Sequence, residues 1–319
     1  MCPACHHVVP LVDGEHGQSH CGNSNCKASV QKCTNYEEHK VCNRLVLVED
    51  SIGQRYCDYC ALTEVIPDLS VAGNLEKWRK LEAAKQRVLF MLDRISMPFR
   101  GTAHADDPQL AFRFEADTVE PVLTGHNNGC ITINIREADS VERERSRVEF
   151  HEPQRTLVGH FRHELGHFFW DRLIRANREG DFRSVFGDER NPDYSTALQR
   201  YYQNGPPANW QENFISAYAA MHPWEDFAET FSAYLVMISI VDTARHFDAT
   251  HSEIRNFDSI VENYGQIGLI ANEFNREMGL LDLVPHVFVP PVIEKLRFIH
   301  ELRGEAQTAQ PDQSAAVTC

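Results

Sequence analysis

The sequence predicts an α+β fold: a mostly helical domain with a small antiparallel sheet, preceded by a separate cysteine-rich module. Three observations carry that prediction. Eight of the ten cysteines fall within the first 60 residues. Apolar side chains recur every three or four positions through residues 74–95, and apolar or long side chains do so through 156–177, the period of a helix with a buried face. Residues 122–135 read as two strands joined at Asn128-Gly129, with Ile131, Ile133 and Ile135 alternating along the second. The organisation that follows is a module over 1–66, a domain over 67–303 and a small, polar tail over 304–319 that is expected to be disordered.

A chain of 319 residues can bury a full core and still carry an appendage. Its 31 Lys and Arg against 46 Asp and Glu give a formal charge of −15. That balance disfavours nucleic acid as a partner, because phosphate-backbone binding relies on clustered cations. No arginine-rich or apolar leader stands out, and no apolar run of about 18 residues, so a cytoplasmic protein without a membrane span is expected.

In chain order, Cys2 and Cys5 form one knuckle and Cys21 and Cys26 another; Cys33 and Cys42 follow, then Cys57 and Cys60. Paired cysteines present four sulfurs to one ion, so two four-thiolate structural zinc sites are expected, although the loose Cys33–Cys42 spacing leaves other pairings open. The C-x-x-C pairs favour thiolate ligands in a reducing compartment over disulfides. His6, His7, His20 and His39 are possible substitutes for a sulfur and are read as solvent-facing. So few apolar residues cannot build a core, which makes metal the source of this module's folding energy. Residues 44–48 read as one strand of a ribbon.

Beyond Ile66-Pro67, a helix is expected from Asn74 to Ile95, with Leu75, Trp78, Leu81, Ala84, Val88, Leu92 and Ile95 as its buried stripe. Residues 112–116 form a candidate strand ahead of the hairpin. That hairpin is suited to lie beside a metal-bearing helix, its edge open to an extended peptide. Cys130 reads as a small buried apolar residue, His126 as a turn histidine. The charged stretch 137–150 reads as a solvated helix face.

Residues 160–170 contain His163-Glu164-x-x-His167 on a proline-free helical stretch. Side chains four apart lie one above the other, so both imidazoles can converge on one Zn²⁺ while Glu164 takes a proton from a bound water. A second helix opens at His222-Pro223 with acids in its first turn. There Glu225 can complete a three-ligand site with an open position, and Glu229 can accept the other N–H of a zinc-bound histidine, fixing its tautomer. Asp226 competes with Glu225 for the third position. Tyr218, Tyr234 and His222 are candidates to stabilise an oxyanion, and His160, one turn before His163, can shape the surroundings. A short helix is expected over 194–202, and a last one over 292–300.

These residues resemble a bacterial family of zinc-binding metallopeptidases with an N-terminal zinc-ribbon domain. The likeness rests on the paired cysteines, Ile66-Pro67-Asp68-Leu69-Ser70, Leu123-Thr124-Gly125-His126, Arg155-Thr156-Leu157 with Gly159-His160-Phe161-Arg162-His163-Glu164, Phe186-Gly187-Asp188-Glu189, and Ser216-Ala217-Tyr218 leading into His222-Pro223-Trp224-Glu225-Asp226. It extends to about Phe247. The resemblance implies a zincin-like catalytic fold, and Glu225-x-x-Ala228-x-x-Phe231 looks like the ligand-bearing helix of zincins whose third ligand is glutamate, the gluzincin arrangement. The expected chemistry is hydrolysis of peptide or isopeptide amide bonds by a zinc-activated water, with Glu164 as general base, His163, His167 and Glu225 as ligands, and Tyr218 or His222 on the oxyanion. That makes three zinc ions, one catalytic and two structural. A peptide or protein substrate is implied, and the ribbon module can recruit a protein partner. The alternative is a zinc-containing adaptor without catalysis.

Overall fold

The computed structural model describes residue 4 and residues 11–13, 19–26, 28–48, 56–101, 107–139, 156–251 and 254–308. Cys2 and Cys5, expected to complete the first four-thiolate site, lie outside the described residues, as do His6, His7, Arg155 and most of the charged stretch 137–150. The chain divides into two compact units, one of residues 1–89 and 110–158, the other of residues 90–109 and 159–319.

In the first unit, β1 (Leu11–Asp13), β2 (Ser19–Cys21), β3 (Ser29–Lys32) and β4 (Leu45–Leu47) form an antiparallel sheet in chain order. Its small core is Cys21, Val30 and Leu45, with Cys26, Ala28 and Leu47 packed around them. That is too little apolar surface to hold a fold alone, as the composition implied. Helix α1 (Thr34–Glu37) starts directly after Cys33, and a 3₁₀ turn over Cys60–Leu62 leads into β5 (Thr63–Val65).

The second sheet of this unit has the order β5-β6-β8-β7, with β6 over Ala111–Glu115, β7 over Gly125–Asn127 and β8 over Cys130–Asn134. The β7–β8 hairpin is antiparallel, whereas β5 with β6 and β6 with β8 pair in parallel. Phe112, Phe114, Ile131 and Ile133 are buried at alternate positions, as a pleated strand requires. His126 accepts the Gly129 amide at 2.9 Å, bracing the turn of the hairpin.

Helix α2 (Asn74–Arg94) matches its predicted span to one residue and buries Trp78, Leu81 and Val88. It also buries a charge. Lys85 reaches Glu82 at 2.8 Å, the Tyr59 carbonyl at 2.9 Å and the Thr63 hydroxyl at 2.6 Å, with neither Lys85 nor Glu82 exposed. The ammonium therefore ties the cysteine loop and β5 to the helix.

In the second unit, α3 (Leu157–Phe169) carries the His-Glu-x-x-His motif. The helix expected to run to Asn177 stops short as an α-helix: Trp170–Ile174 is a π-helical turn closed by Arg175 N–H to the Trp170 carbonyl at 3.0 Å. Then follow α4 (Glu179–Phe186), α5 (Tyr194–Asn204), α6 (Pro223–His246), α7 (Phe257–Glu277) and α8 (Pro290–Thr308). The last helix continues past Gly304 to Thr308, and residues 309–319 are outside the described ones.

Helix α6 is central, packed by α7, α8 and a 3₁₀ turn over Tyr218–Met221. Where no long apolar run was expected, α6 has a stretch with mean hydropathy 1.3, long and apolar enough by composition to cross a membrane. Half of that stretch is buried inside the protein, which is the signature of a core helix with neighbours on several sides. Aromatic rings fill the space beneath it: Phe169 lies 5.1 Å from Phe231, and Phe186 lies 5.5 Å from Phe227 and 5.7 Å from Phe298. Such dense packing fixes α3, α4, α6 and α8 as one scaffold.

Candidate metal centre

The helical repeat sets the first two donors. His163 and His167 stand one turn apart on α3, their Nε2 atoms 3.1 Å from each other. The third donor comes from the first turn of α6, where Oε2 of Glu225 lies 3.1 Å from Nε2 of His163 and 3.5 Å from Nε2 of His167. A tetrahedral zinc with bonds near 2.0–2.2 Å separates its ligand atoms by about 3.3 Å, so this triangle has the dimensions of one face of a zinc site.

Hydrogen bonding explains why the triangle calls for a cation. Nδ1 of His163 donates to Glu229 at 2.7 Å, which leaves a lone pair on Nε2. That lone pair faces Oε2 of Glu225, which is buried and accepts no hydrogen bond. Acceptors crowded at 3.1–3.5 Å repel one another unless a metal ion or a shared proton sits among them. The donor set of two imidazoles and one carboxylate, with a further side left for water or substrate, suits a catalytic zinc.

Backbone contact brings the helices this close. A Cβ on Gly166 would lie 2.6 Å from Cα of Ala228, so glycine in the motif lets α3 rest directly on the backbone of α6. Ala228 sits one turn beyond Glu225, and the contact sets the distance across which the carboxylate reaches the histidines.

Three further side chains orient the donors: Ser216 and Trp224, which stand in the motifs of the family resemblance without an assigned role, and Tyr194, which stands in none. Tyr194, the first residue of α5, donates its hydroxyl to Oε1 of Glu225 at 2.8 Å, leaving Oε2 for the metal. Ser216 donates to Oε2 of Glu229 at 2.7 Å and accepts the Ala219 amide at 3.0 Å. Trp224 lays its ring 3.7 Å from that of His167, centroid to centroid. The loop before Tyr194 is held at Glu189, by side chain and backbone: Arg183 grips the Glu189 carboxylate at 3.0 and 3.1 Å, and Nε2 of His222 donates to the Glu189 carbonyl at 3.0 Å. Asp193 then caps α5 by accepting the Thr196 amide at 3.1 Å.

The electrostatics follow from burial and charge. Burial opposes charge on His163, but the Glu225 and Glu229 carboxylates outweigh it and raise its pKa well above the usual imidazole value. Burial likewise opposes ionisation of Glu225, and the two imidazoles hold its carboxyl well below the usual range. Burial pushes the Glu164 carboxyl up. The side chain of His163 is 18% exposed and that of Glu225 only 3%, so the centre is reached from the His163 side.

The remaining candidates fall in distinct places. Asp226, the competitor of Glu225, points away into the core, paired with Lys295 at 2.7 Å, and burial pushes its pKa up to about 6. Its Lys295 partner also donates to the Asn213 carbonyl at 2.8 Å, tying α8 to the segment that carries Ser216. Tyr218 has its ring 6.2 Å from that of His163 and shares a hydrogen bond with Tyr194; burial, then the Glu225 charge, raises its pKa. His222 caps α6, with Nδ1 accepting the Trp224 amide at 3.1 Å and Nε2 given to Glu189. Tyr234 is a core residue whose hydroxyl meets Nδ1 of His300 at 3.0 Å. His160 lies partly buried on α3.

A second cluster lies in the cysteine module. The sulfurs of Cys33, Cys42, Cys57 and Cys60 lie within 4.8 Å of one another and all four residues are buried. Zinc–sulfur bonds near 2.3 Å put tetrahedral sulfurs about 3.8 Å apart, and Cys42 and Cys57 sulfurs are separated by 3.8 Å. Amides of Arg44 and Cys57 point at the Cys42 and Cys33 sulfurs, each at 3.3 Å, as fits thiolates. The loosely spaced Cys33 and Cys42 thus belong to one site with Cys57 and Cys60. Cys21 and Cys26 remain as the described half of the other expected quartet.

Comparison with known proteins agrees with both clusters. Residues 74–302 match the family described as "Putative zinc-binding metallo-peptidase", and residues 1–71 match a zinc-ribbon domain. Uncharacterized proteins of Mycobacterium tuberculosis strain H37Rv and of Mycobacterium bovis are each 40% identical over 289 residues, covering 87% of this chain and 84% of theirs. No solved structure matches the chain. With its His163–His167–Glu225 centre inside the matched span and a zinc ribbon ahead of it, the chain belongs to this zinc-binding metallo-peptidase family.

Proposed function

We propose that the protein hydrolyses peptide or isopeptide amide bonds, as a zinc peptidase whose third ligand is glutamate. The observation that carries this reading is the buried Glu164 between the two histidines of a triangle sized for zinc. His163, His167 and Glu225 would hold a zinc ion there, which would supply a Lewis acid for a water and a carbonyl.

The protein's own groups do the rest. Glu164, made more basic by burial, takes the proton of the attacking water and returns it to the leaving amine. Glu229, braced by Ser216, keeps the His163 lone pair directed at the metal and Tyr194 does the same for Glu225. Tyr218 is the favoured oxyanion donor, because its ring lies 6.2 Å from that of His163 and its hydroxyl can turn from Tyr194 to the oxyanion, while the nitrogens of His222 serve the Trp224 amide and the Glu189 carbonyl.

The test uses zinc-loaded wild type and Glu164→Gln on a library of unstructured peptides and isopeptide-linked pairs, read by mass spectrometry. Cleavage by wild type, lost by at least about a hundredfold in the variant at equal zinc content, is expected. Equal cleavage by the variant removes Glu164 from the chemistry. No cleavage by the zinc-loaded wild type moves the reading to a zinc-containing adaptor.

A further inference from the structure

Helix α7 has two apolar faces. One carries Phe257, Ile260, Tyr264 and Gly268 and is buried against the unit, with Gly268 so close to His286 that a Cβ would lie 2.8 Å from that side chain. The other runs one turn at a time through Ile270, Phe274 and Met278, which are 56, 67 and 71% exposed. A helix that covers a core on one side is expected to be polar elsewhere.

The exposed face continues onto the chain after α7, and that chain is pinned. Gly279, at φ +74°, ends the helix, and the Leu280 amide returns to the Asn275 carbonyl at 2.8 Å, closing the helix end. Asn272 then accepts the amides of Leu283 and Val284 at 2.8 and 3.1 Å and donates to the Val284 carbonyl at 2.8 Å. Arg276 binds both oxygens of Asp282 at 2.7 Å. Leu281, 80% exposed, and Leu283 are therefore held at the surface by a rigid turn. A surface already ordered loses little freedom when it binds.

Charge selects the occupant. Between residues 257 and 287 the chain has Asp258, Glu262, Glu273, Glu277 and Asp282 against Arg276, and Arg297 of α8 pairs with Asp258 at 2.6 Å, which leaves a net charge of −3. Arg276 is itself paired with Glu273 and Asp282. A second copy of this chain, of net charge −15, would bring like charge to the same edge. An anionic lipid surface would be repelled as well.

We propose that the Ile270–Phe274–Met278 face and the turn carrying Leu281 form a docking site for a partner protein presenting a cationic amphipathic helix. Apolar anchors of that helix lie along the turn-spaced stripe, and its Lys or Arg residues meet Glu277 and the outer edge of the Glu273–Arg276–Asp282 cluster at the rim.

The probe is a fluorescent leucine–lysine helix of about 18 residues, with a scrambled peptide of equal composition that has no apolar face as its control. Full-length wild type and the Phe274→Ser/Leu281→Ser variant are titrated into each. Saturable binding of the patterned peptide, at least about tenfold weaker to the variant and to the scrambled control, and weakened by salt, is expected. Both substituted residues are exposed, and an unchanged melting temperature verifies that the variant folds. Equal binding of both peptides, or equal binding by the variant, overturns the proposal. So does a dimer in light scattering that the substitutions dissolve, which assigns the face to a second copy, or sedimentation with phosphatidylcholine–phosphatidylglycerol vesicles that the substitutions abolish, which assigns it to lipid.

Discussion

The Tyr194 hydroxyl donates to Oε1 of Glu225 at 2.8 Å, so that one oxygen of the carboxylate is held while the other faces the histidine pair. Tyr194→Phe keeps the ring against His222 and Trp224 and removes that bond together with the one shared with Tyr218. Zinc affinity at the His–His–Glu centre, measured by competition with a chelator, should fall by about tenfold while thermal stability of the zinc-free protein changes little. Unchanged affinity would mean that Glu225 is oriented by packing alone.

Gly166→Ala places a methyl group into the backbone of Ala228. Since backbone cannot swing aside as a side chain does, unfolding free energy should drop by about 1–3 kcal/mol, and zinc affinity should drop with it because α3 and α6 must separate. Urea denaturation and chelator competition on the same sample report both. Loss of one without the other would uncouple the helix contact from the centre.

Lys85 and Glu82 form a fully buried pair. Lys85→Met strands the carboxylate and should cost about 3–5 kcal/mol, whereas the apolar double substitution Glu82→Leu/Lys85→Met should recover most of that loss. A double-substitution cycle by chemical denaturation decides it, and full additivity would show that the two charges do not depend on each other.

His300 gives the protein an acid-sensitive joint. Its Nε2 donates to the Arg255 carbonyl at 3.1 Å and its Nδ1 meets the Tyr234 hydroxyl at 3.0 Å, an arrangement that the neutral ring satisfies with Nδ1 as acceptor. Burial lowers its pKa below the unfolded value. The unfolded chain then binds the extra proton first, so stability is fully present above about pH 6.5 and is lost as pH falls toward the lower folded value. The difference in urea midpoint between wild type and His300→Gln, followed from pH 8 to about pH 5, should shift in favour of the variant on acidification. A pH-independent difference would contradict it.

Helix positions were legible where the cause is local. Pro223 with acids behind it marked the start of α6, and the turn-spaced apolar residues of α2 marked its length, because capping and periodicity leave their trace in adjacent residues. The His-Glu-x-x-His motif and Glu225 were legible for the same reason, each lying on one helix face. Tyr194 and Ser216 were not: their bonds span 31 and 13 positions through irregular chain, and a hydrogen bond between loops leaves no period. Trp224 stood in the quoted motif with no role attached, because ring stacking on His167 leaves no spacing signal. The parallel pairing of β6 with β8 was equally hidden, since each strand shows only which of its faces is buried and not the direction of its neighbour.

The donor spacing of 3.1–3.5 Å bears on which ions the centre excludes. Calcium takes six to eight oxygen ligands at longer bonds, and magnesium keeps its waters in an octahedron, so neither ion suits a narrow triangle with two nitrogens. Copper(II) is not excluded on affinity, because imidazole and carboxylate donors generally bind it more tightly than zinc. Size and ligand type thus reject the abundant hard cations, while discrimination against copper falls to the cell, through how little free copper it leaves within reach of the open flank.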